Sequence, residues 1–349
     1  HVAEVHKAGL KYMLWLGVPM MGEEAKNYPK FKDMLLEPPG KGSGGVANLD
    51  PRFPEVREYL ISTYERAVGE WGFDGLKLDF IDQFSFLGED PDLVVLHDPG
   101  EDPAVRTGYA GRDIRSLPVA TDRLMKDILA GVRAVRPEAL IEFRQQYMGP
   151  AIRQYGNIIR ATDCPADPVQ NRRLIADLRL TSGTTAVHSD MLVWSPDETP
   201  EGAARAVLSS LFGVQQYSMV LGRLPESHRR MVRHWIGFTT RHRGTLLRGV
   251  FRPHHPELFY PLVEAESDAE RIVAVYGGLS AFVVPDAKKS CLIVNATAGD
   301  GLFASLPAPA SVRVFDTFGT CTATVDTPAG PMHLAVPKSG YAEMRFDKE

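Results

Sequence analysis

Short apolar runs alternate with longer segments in which apolar residues recur every three to four positions, and this alternation holds over roughly the first 246 residues. The short runs are Leu10 to Leu16, Gly75 to Phe80, Leu140 to Phe143, Ile158 to Thr162, Thr185 to His188 and Gln215 to Val220, each of a length suited to a buried strand. Glu55 to Glu70, Thr121 to Val135, Gln170 to Leu180 and Glu201 to Phe212 carry helical periodicity. Strands alternating with helices predict parallel βα units, and the fold class is read as α/β, a (β/α)8 TIM-type barrel. Six strands are read where the barrel needs eight, and the chain opens at His1, without an initiating Met, on what resembles a helix end. The reading therefore expects the first βα units upstream of His1 and a barrel with an open edge. Such an edge favours pairing between copies, so a homo-oligomer is expected.

Beyond a polar helix from Pro225 to His242, whose histidines His228, His234 and His242 are read as solvated, the pattern changes. From about Leu247 short β-like runs follow turn signals: Ile272 to Tyr276, Ser280 to Val284, Ser290 to Asn295, Val312 to Phe315, His333 to Val336 and Tyr341 to Phe346. Two domains result, a partial catalytic barrel over 1–246 and a small antiparallel β domain over 247–349. Two insertions, Gly22 to Asp50 and Asp82 to Ala120 with its Gly/Pro/Asp-rich Leu87 to Pro103, follow C-terminal strand ends and would overhang a site there.

The composition is that of an ordinary globular protein: 349 residues, 44% hydrophobic, net charge -5. No Lys/Arg run interleaves with aromatics, and no apolar stretch approaches the roughly 20 residues that span a bilayer. Neither nucleic acid nor membrane is expected as a partner. Cys164, Cys291 and Cys321 form no disulfide framework and no CxxC zinc spacing. No signal peptide is visible, which leaves the compartment open between cytoplasm and periplasm.

The chemistry concentrates at strand ends. Within Trp71-Gly72-Phe73-Asp74-Gly75-Leu76-Lys77-Leu78-Asp79-Phe80, alternation puts Lys77 and Asp79 on one face of a strand and Leu76, Leu78 and Phe80 on the other. In a parallel barrel, inward residues near the C-terminal end line the active site, so Asp79 is a candidate catalytic carboxylate. An interior ion pair or a helix cap is the structural alternative. Ile158-Ile159-Arg160-Ala161-Thr162-Asp163 again ends a hydrophobic strand in an acid, whereas Asp167-Pro168 reads as the cap and first turn of the next helix. Two strand-end carboxylates suit glycoside hydrolysis, in which one attacks the anomeric carbon and the other protonates the leaving oxygen and then activates water. Lys77 would keep Asp79 ionised, while the charge of Asp79 would favour a protonated Asp163. Arg160, on the opposite strand parity from Asp163, is not expected to cancel that effect.

Leu14-Trp15-Leu16-Gly17-Val18-Pro19, Asn48-Leu49-Asp50-Pro51-Arg52-Phe53-Pro54-Glu55-Val56, Asp74 to Asp79, Arg160-Ala161-Thr162-Asp163 and His188-Ser189-Asp190-Met191-Leu192 together resemble the α-galactosidases of glycoside hydrolase family 36 in order and approximate spacing. The resemblance covers nearly the whole chain, from the third barrel strand into the β domain. It implies Asp79 as nucleophile, Asp163 as acid/base, retention of configuration, Trp15 as an aromatic bordering the sugar and Lys77 as a hydroxyl ligand. There are departures: Ile81 stands where many members have Asn, and the Trp15 to Pro19 spacing is one residue longer than the commonest form. Transglycosylation on the same fold and sugar binding without cleavage are the alternatives.

Further substrate-binding candidates are Arg144, as a hydroxyl or nucleophile ligand or a structural pair; His188 and Asp190, two apart on one strand; and Trp194, as a stacking or a core residue. No third ligand accompanies His188 and Asp190, so no metal site is read, and no cofactor is expected. The expected partner is an oligosaccharide or glycoside substrate.

Overall fold

The computed structural model describes residues 1–36, 44–84, 111–144, 149–164, 166–277, 281–287 and 290–346. Most of the insertion predicted from Asp82, its Leu87 to Pro103 stretch included, lies outside the described residues, as do Pro165 and Ser280. The chain divides into two compact units, one of His1–Arg144 with Pro150–Ile158, the other of Gln145–Gly149 with Ile159–Glu349.

The first unit carries β1 (Met13–Gly17), β2 (Met20–Gly22), β3 (Val46–Asn48), β4 (Gly75–Asp79) and β5 (Leu140–Arg144). β1, β4 and β5 are parallel neighbours in that order, and the register sets Trp15 beside Lys77, Gly17 beside Asp79 and Lys77 beside Glu142. The close approach of β4 to β5 requires Gly75, since a Cβ there would sit 2.3 Å from the Leu140 carbonyl oxygen. Helix Pro54–Gly69 starts on a proline at its first turn and buries Val56, Leu60, Tyr64, Ala67 and Val68 as one stripe. It packs against helix Leu117–Val135, capped by Ser116, whose hydroxyl accepts from the Val119 N–H. The last residues of the predicted Asp82 to Ala120 insertion are therefore the first turn of that helix. The Gly22 to Asp50 insertion is partly ordered too: β2 and β3 pair antiparallel, and beyond them the fully buried Asp50 receives the Arg52 and Arg112 guanidinium groups.

β6 (Ile158–Arg160) crosses from the first unit into the second, which continues with helix Pro168–Thr181, β7 (Ala186–Leu192), helix Pro200–Ser209, β8 (Val214–Tyr217) and helix Glu226–Arg248. β6, β7 and β8 are neighbours in that order, β7 and β8 parallel. All six predicted strand runs are strands, and the architecture is α/β; six such strands, rather than eight, occur among the described residues. Leu10 is not part of the first one: it is exposed, and β1 begins at Met13.

The region after Gly249 holds β9 (Val250–His254), β10 (Leu262–Glu266), β11 (Glu270–Val275), β12 (Ala281–Val283), β13 (Ser290–Asn295), β14 (Leu302–Leu306), β15 (Ala310–Phe315), β16 (Cys321–Thr327), β17 (Gly330–Leu334) and β18 (Tyr341–Phe346). They form a seven-stranded sheet ordered β16-β15-β18-β13-β11-β10-β9 and a three-stranded sheet ordered β12-β14-β17. The pairing is mixed rather than antiparallel, because β11 with β13 and β12 with β14 run parallel. The intervening chain leaves one sheet for the other between β11 and β13, and this crossover brings each strand back in the same direction.

Helix Glu226–Arg248 is not the solvated element its charges suggest. His228, Met231, Val232, Trp235 and Phe238 recur at helical spacing and are buried, so His228 is a core residue. His234 stacks on Tyr341, and His242 bonds to the Glu270 carboxylate. No helix among the described residues is long and apolar enough to cross a membrane.

Candidate active site

In the first unit the site is built on the ends of β1, β4 and β5. Asp79 is the last residue of β4, and Phe80 after it takes φ 60°, a left-handed conformation that a bulky residue seldom adopts. That turn aims the Phe80 N–H at Asp79 Oδ1, 2.9 Å away. Arg144 Nε, at the end of β5, donates to the same oxygen at 2.9 Å, and the Trp15 indole N–H, from β1, donates to Oδ2 at 3.0 Å. Asp79 is 4% exposed. Burial alone would raise its pKa, but the bonds from Trp15, Arg144 and the Phe80 N–H outweigh it and hold the carboxyl below the usual value. The Trp15 ring, fixed at its N–H, is 53% exposed, which leaves apolar ring surface open for a ligand. The Phe80 ring lies under the Arg144 guanidinium, 5.2 Å from its centroid.

The partners of the Asp79 carboxylate thus include Trp15 and Arg144, whereas Lys77 Nζ lies 3.5 Å from Glu142 Oε1. Glu142 is 3% exposed and went unnoticed in the sequence reading. It lies two residues before Arg144 on the same strand face, so alternation back from that strand tip would have marked it.

In the second unit, Asp163 sits three residues beyond the end of β6, with a side chain 60% exposed. Its Oδ1 accepts from Arg160 Nη2 at 2.7 Å. The expectation that Arg160 would stand apart from Asp163 is thereby corrected: β6 ends at Arg160, so strand parity does not extend through Ala161 and Thr162, and the turn brings Asp163 back to the guanidinium. Arg160 Nη1 donates to Asp190 Oδ1, and Asp190 Oδ2 accepts the Cys164 N–H at 2.5 Å. Asp190 is fully buried, its main-chain N–H bonded to Asn171 Oδ1 at 3.0 Å. This places Asp190 behind Asp163 rather than on an open surface. His188 bonds through Nδ1 to Gln216 Nε2 at 3.1 Å, and a register shift of β7 against β8 follows it. Asp167 accepts from the Val169 and Gln170 N–H groups and caps helix Pro168–Thr181.

Trp194 belongs to the core: it is 8% exposed and its indole N–H donates to His228 Nδ1 at 3.2 Å. Only its margin reaches a groove of about 540 Å³ that also involves Ala166, Pro168, Glu198 and Arg205. A cavity of about 630 Å³ opens beside the starts of β7 and β8, and Asp163 is not among its lining residues. No cluster of three or more potential metal ligands occurs among the described residues.

No family model matches the sequence, and no curated protein matches it. Solved structures are similar in fold. The family 36 α-galactosidase AgaA of Geobacillus stearothermophilus, solved with raffinose, is 14% identical at a TM-score of 0.58, over 99% of this chain and 46% of that one. The α-galactosidase of Lactobacillus brevis gives 14% identity and 0.58 over 100% and 46%. An α-amylase of Geobacillus thermoleovorans, solved with acarbose, gives 14% and 0.60 over 99% and 80%. The chain spans just under half the length of the α-galactosidases it matches, and what these likenesses show is the fold.

Proposed function

We propose that this chain carries the catalytic machinery of a retaining glycoside hydrolase that cleaves terminal α-galactosides, with Asp79 as nucleophile and Asp163 as acid/base. The observation that carries the reading is the Asp79 carboxylate: it is buried at a strand end and kept anionic by three donors, with an open aromatic face beside it. A carboxylate in this state is a nucleophile ready at neutral pH, and it need not be deprotonated during the reaction. Fold likeness to glycosidases supports the same class. On this reading the six strands belong to a (β/α)8 barrel, 1–246 is the catalytic part and 247–349 the β domain.

In the first step Asp79 attacks the anomeric carbon while protonated Asp163 gives its proton to the departing oxygen, leaving a glycosyl ester on Asp79. In the second, Asp163 as carboxylate takes a proton from water, the water oxygen attacks the same carbon, and Asp79 is released. Trp15 offers its ring to the apolar face of the sugar, while Lys77 and His188 are the hydroxyl ligands. Arg144 bonds to the Asp79 carboxylate and Asp190 to Arg160, which favours a supporting role over direct sugar binding for both.

The test is cleavage of aryl α-galactoside and related aryl α-glycosides by the wild type, Asp79→Asn and Asp163→Asn. Turnover of the galactoside that disappears in Asp79→Asn, and returns in Asp79→Gly with azide, is the expected result. Unchanged activity in Asp79→Asn would overturn the assignment.

A further inference from the structure

Arg160 is shared by two carboxylates of unlike surroundings. Asp163 is mostly exposed, whereas Asp190 is without exposure and is fixed on three sides, by Arg160, by the Cys164 N–H and by Asn171 at its own main chain. The guanidinium is itself buried, at 4% exposure. A buried cation needs a buried anion, and Asp190 fills that need without help from Asp163. Protonation of Asp163 then leaves behind a neutral Arg160–Asp190 pair. Without Asp190, the same protonation would strand a buried guanidinium beside a neutral acid, and Asp163 would be held as the anion.

We propose that Asp190 is a positioning residue for acid/base catalysis: by neutralising Arg160 and holding the Cys164 amide, it lets Asp163 take up and release the catalytic proton. The inference rests on the reading of Asp163 as acid/base. Two other titratable groups described near this turn are engaged elsewhere. Asp167 is committed to its helix cap, and His188 is bonded to Gln216. The Cys164 thiol is pushed up to about 12, by burial first and then by Asp190 and Asp167, and stays uncharged.

The experiment compares wild type, Asp190→Asn and the double variant Arg160→Gln/Asp190→Asn on two α-galactosides, one with an activated dinitrophenyl leaving group and one with a sugar leaving group. In Asp190→Asn the basic limb of the kcat/KM profile is expected to move about one to two pH units lower, the usual reach of a close opposite charge. At neutral pH the sugar-leaving substrate should lose roughly 100-fold, the lower range of general acid catalysis, and the activated one far less. The double variant removes the stranded cation, and its limb should return toward the wild-type position. Equal losses on both substrates with the limb unmoved would overturn the proposal. Titration of the ¹³C-labelled Asp163 carboxyl reads the same effect without turnover. A midpoint lowered in Asp190→Asn upholds the coupling even if no glycoside is cleaved, and an unmoved midpoint overturns it.

Discussion

Arg144 is one of the groups, after Trp15, that hold the Asp79 carboxyl in its anionic form. Its guanidinium and the Trp15 indole between them engage both carboxylate oxygens, and together with the Phe80 N–H they overcome the burial that would otherwise neutralise the group. A carboxyl depressed in the folded state contributes stability that is present above its unfolded pKa and is lost as pH falls through the folded value. Arg144→Gln should therefore raise the acidic limb of the kcat/KM profile by about one pH unit and cost about 2 kcal/mol in denaturant unfolding at neutral pH. An acidic limb that stays in place would show that Arg144 serves only the fold. Of these contacts, the Lys77-Leu78-Asp79 strand was legible because period-two alternation and a terminal acid are local properties. The Arg144–Asp79 pair was one of three readings for Arg144, since sequence does not state which strand end lies beside which. The Arg160–Asp163 pair was misread because parity holds only inside a strand, and β6 stops at Arg160.

The helix Glu226–Arg248 shows the same limit at the scale of an element. Its existence was plain from the pattern, yet its many arginines and histidines concealed a buried stripe that packs within the second unit. His234 lies on that side, its ring stacked 12° from the plane of Tyr341 and its Nδ1 near Gly319, where a Cβ would come within 2.2 Å. Burial first, and Arg241 second, lower its pKa, while Asp316 acts weakly the other way. The unfolded chain then binds the proton more readily than the folded one, so stability falls as pH drops through about 6.5, the ordinary histidine value. His234→Phe keeps the stacked ring and removes the proton site. Between pH 8 and pH 5.5 the wild-type melting temperature should fall several degrees further than that of His234→Phe, and parallel curves would exclude the mechanism. The strands β9, β10, β14 and β16 escaped the reading for a related reason: at Val250–His254 a proline interrupts the run, and in Cys321–Thr327 nearly every residue is exposed, so no apolar face marks the strand.

For the whole molecule, the order of strands and helices was legible, whereas the fold selects no substrate, because it stands as near to an α-amylase, at 0.60, as to the α-galactosidases, at 0.58. On the proposed reading, substrate preference comes from side chains at the strand ends, among them Glu142 and Arg144 of β5 and Ile81 just after β4. The stereochemical course is a separate matter, fixed by whether the second carboxylate leaves room for one water between it and the sugar or acts after a glycosyl ester has formed. An anionic Asp79 with all its donors in place is suited to direct attack. The ¹H NMR spectrum of an aryl α-galactoside digest should accordingly show α-galactose before mutarotation supplies the β anomer. Initial appearance of the β anomer would assign water, rather than Asp79, as the attacking group, and would turn Asp79 from nucleophile into the base that activates it.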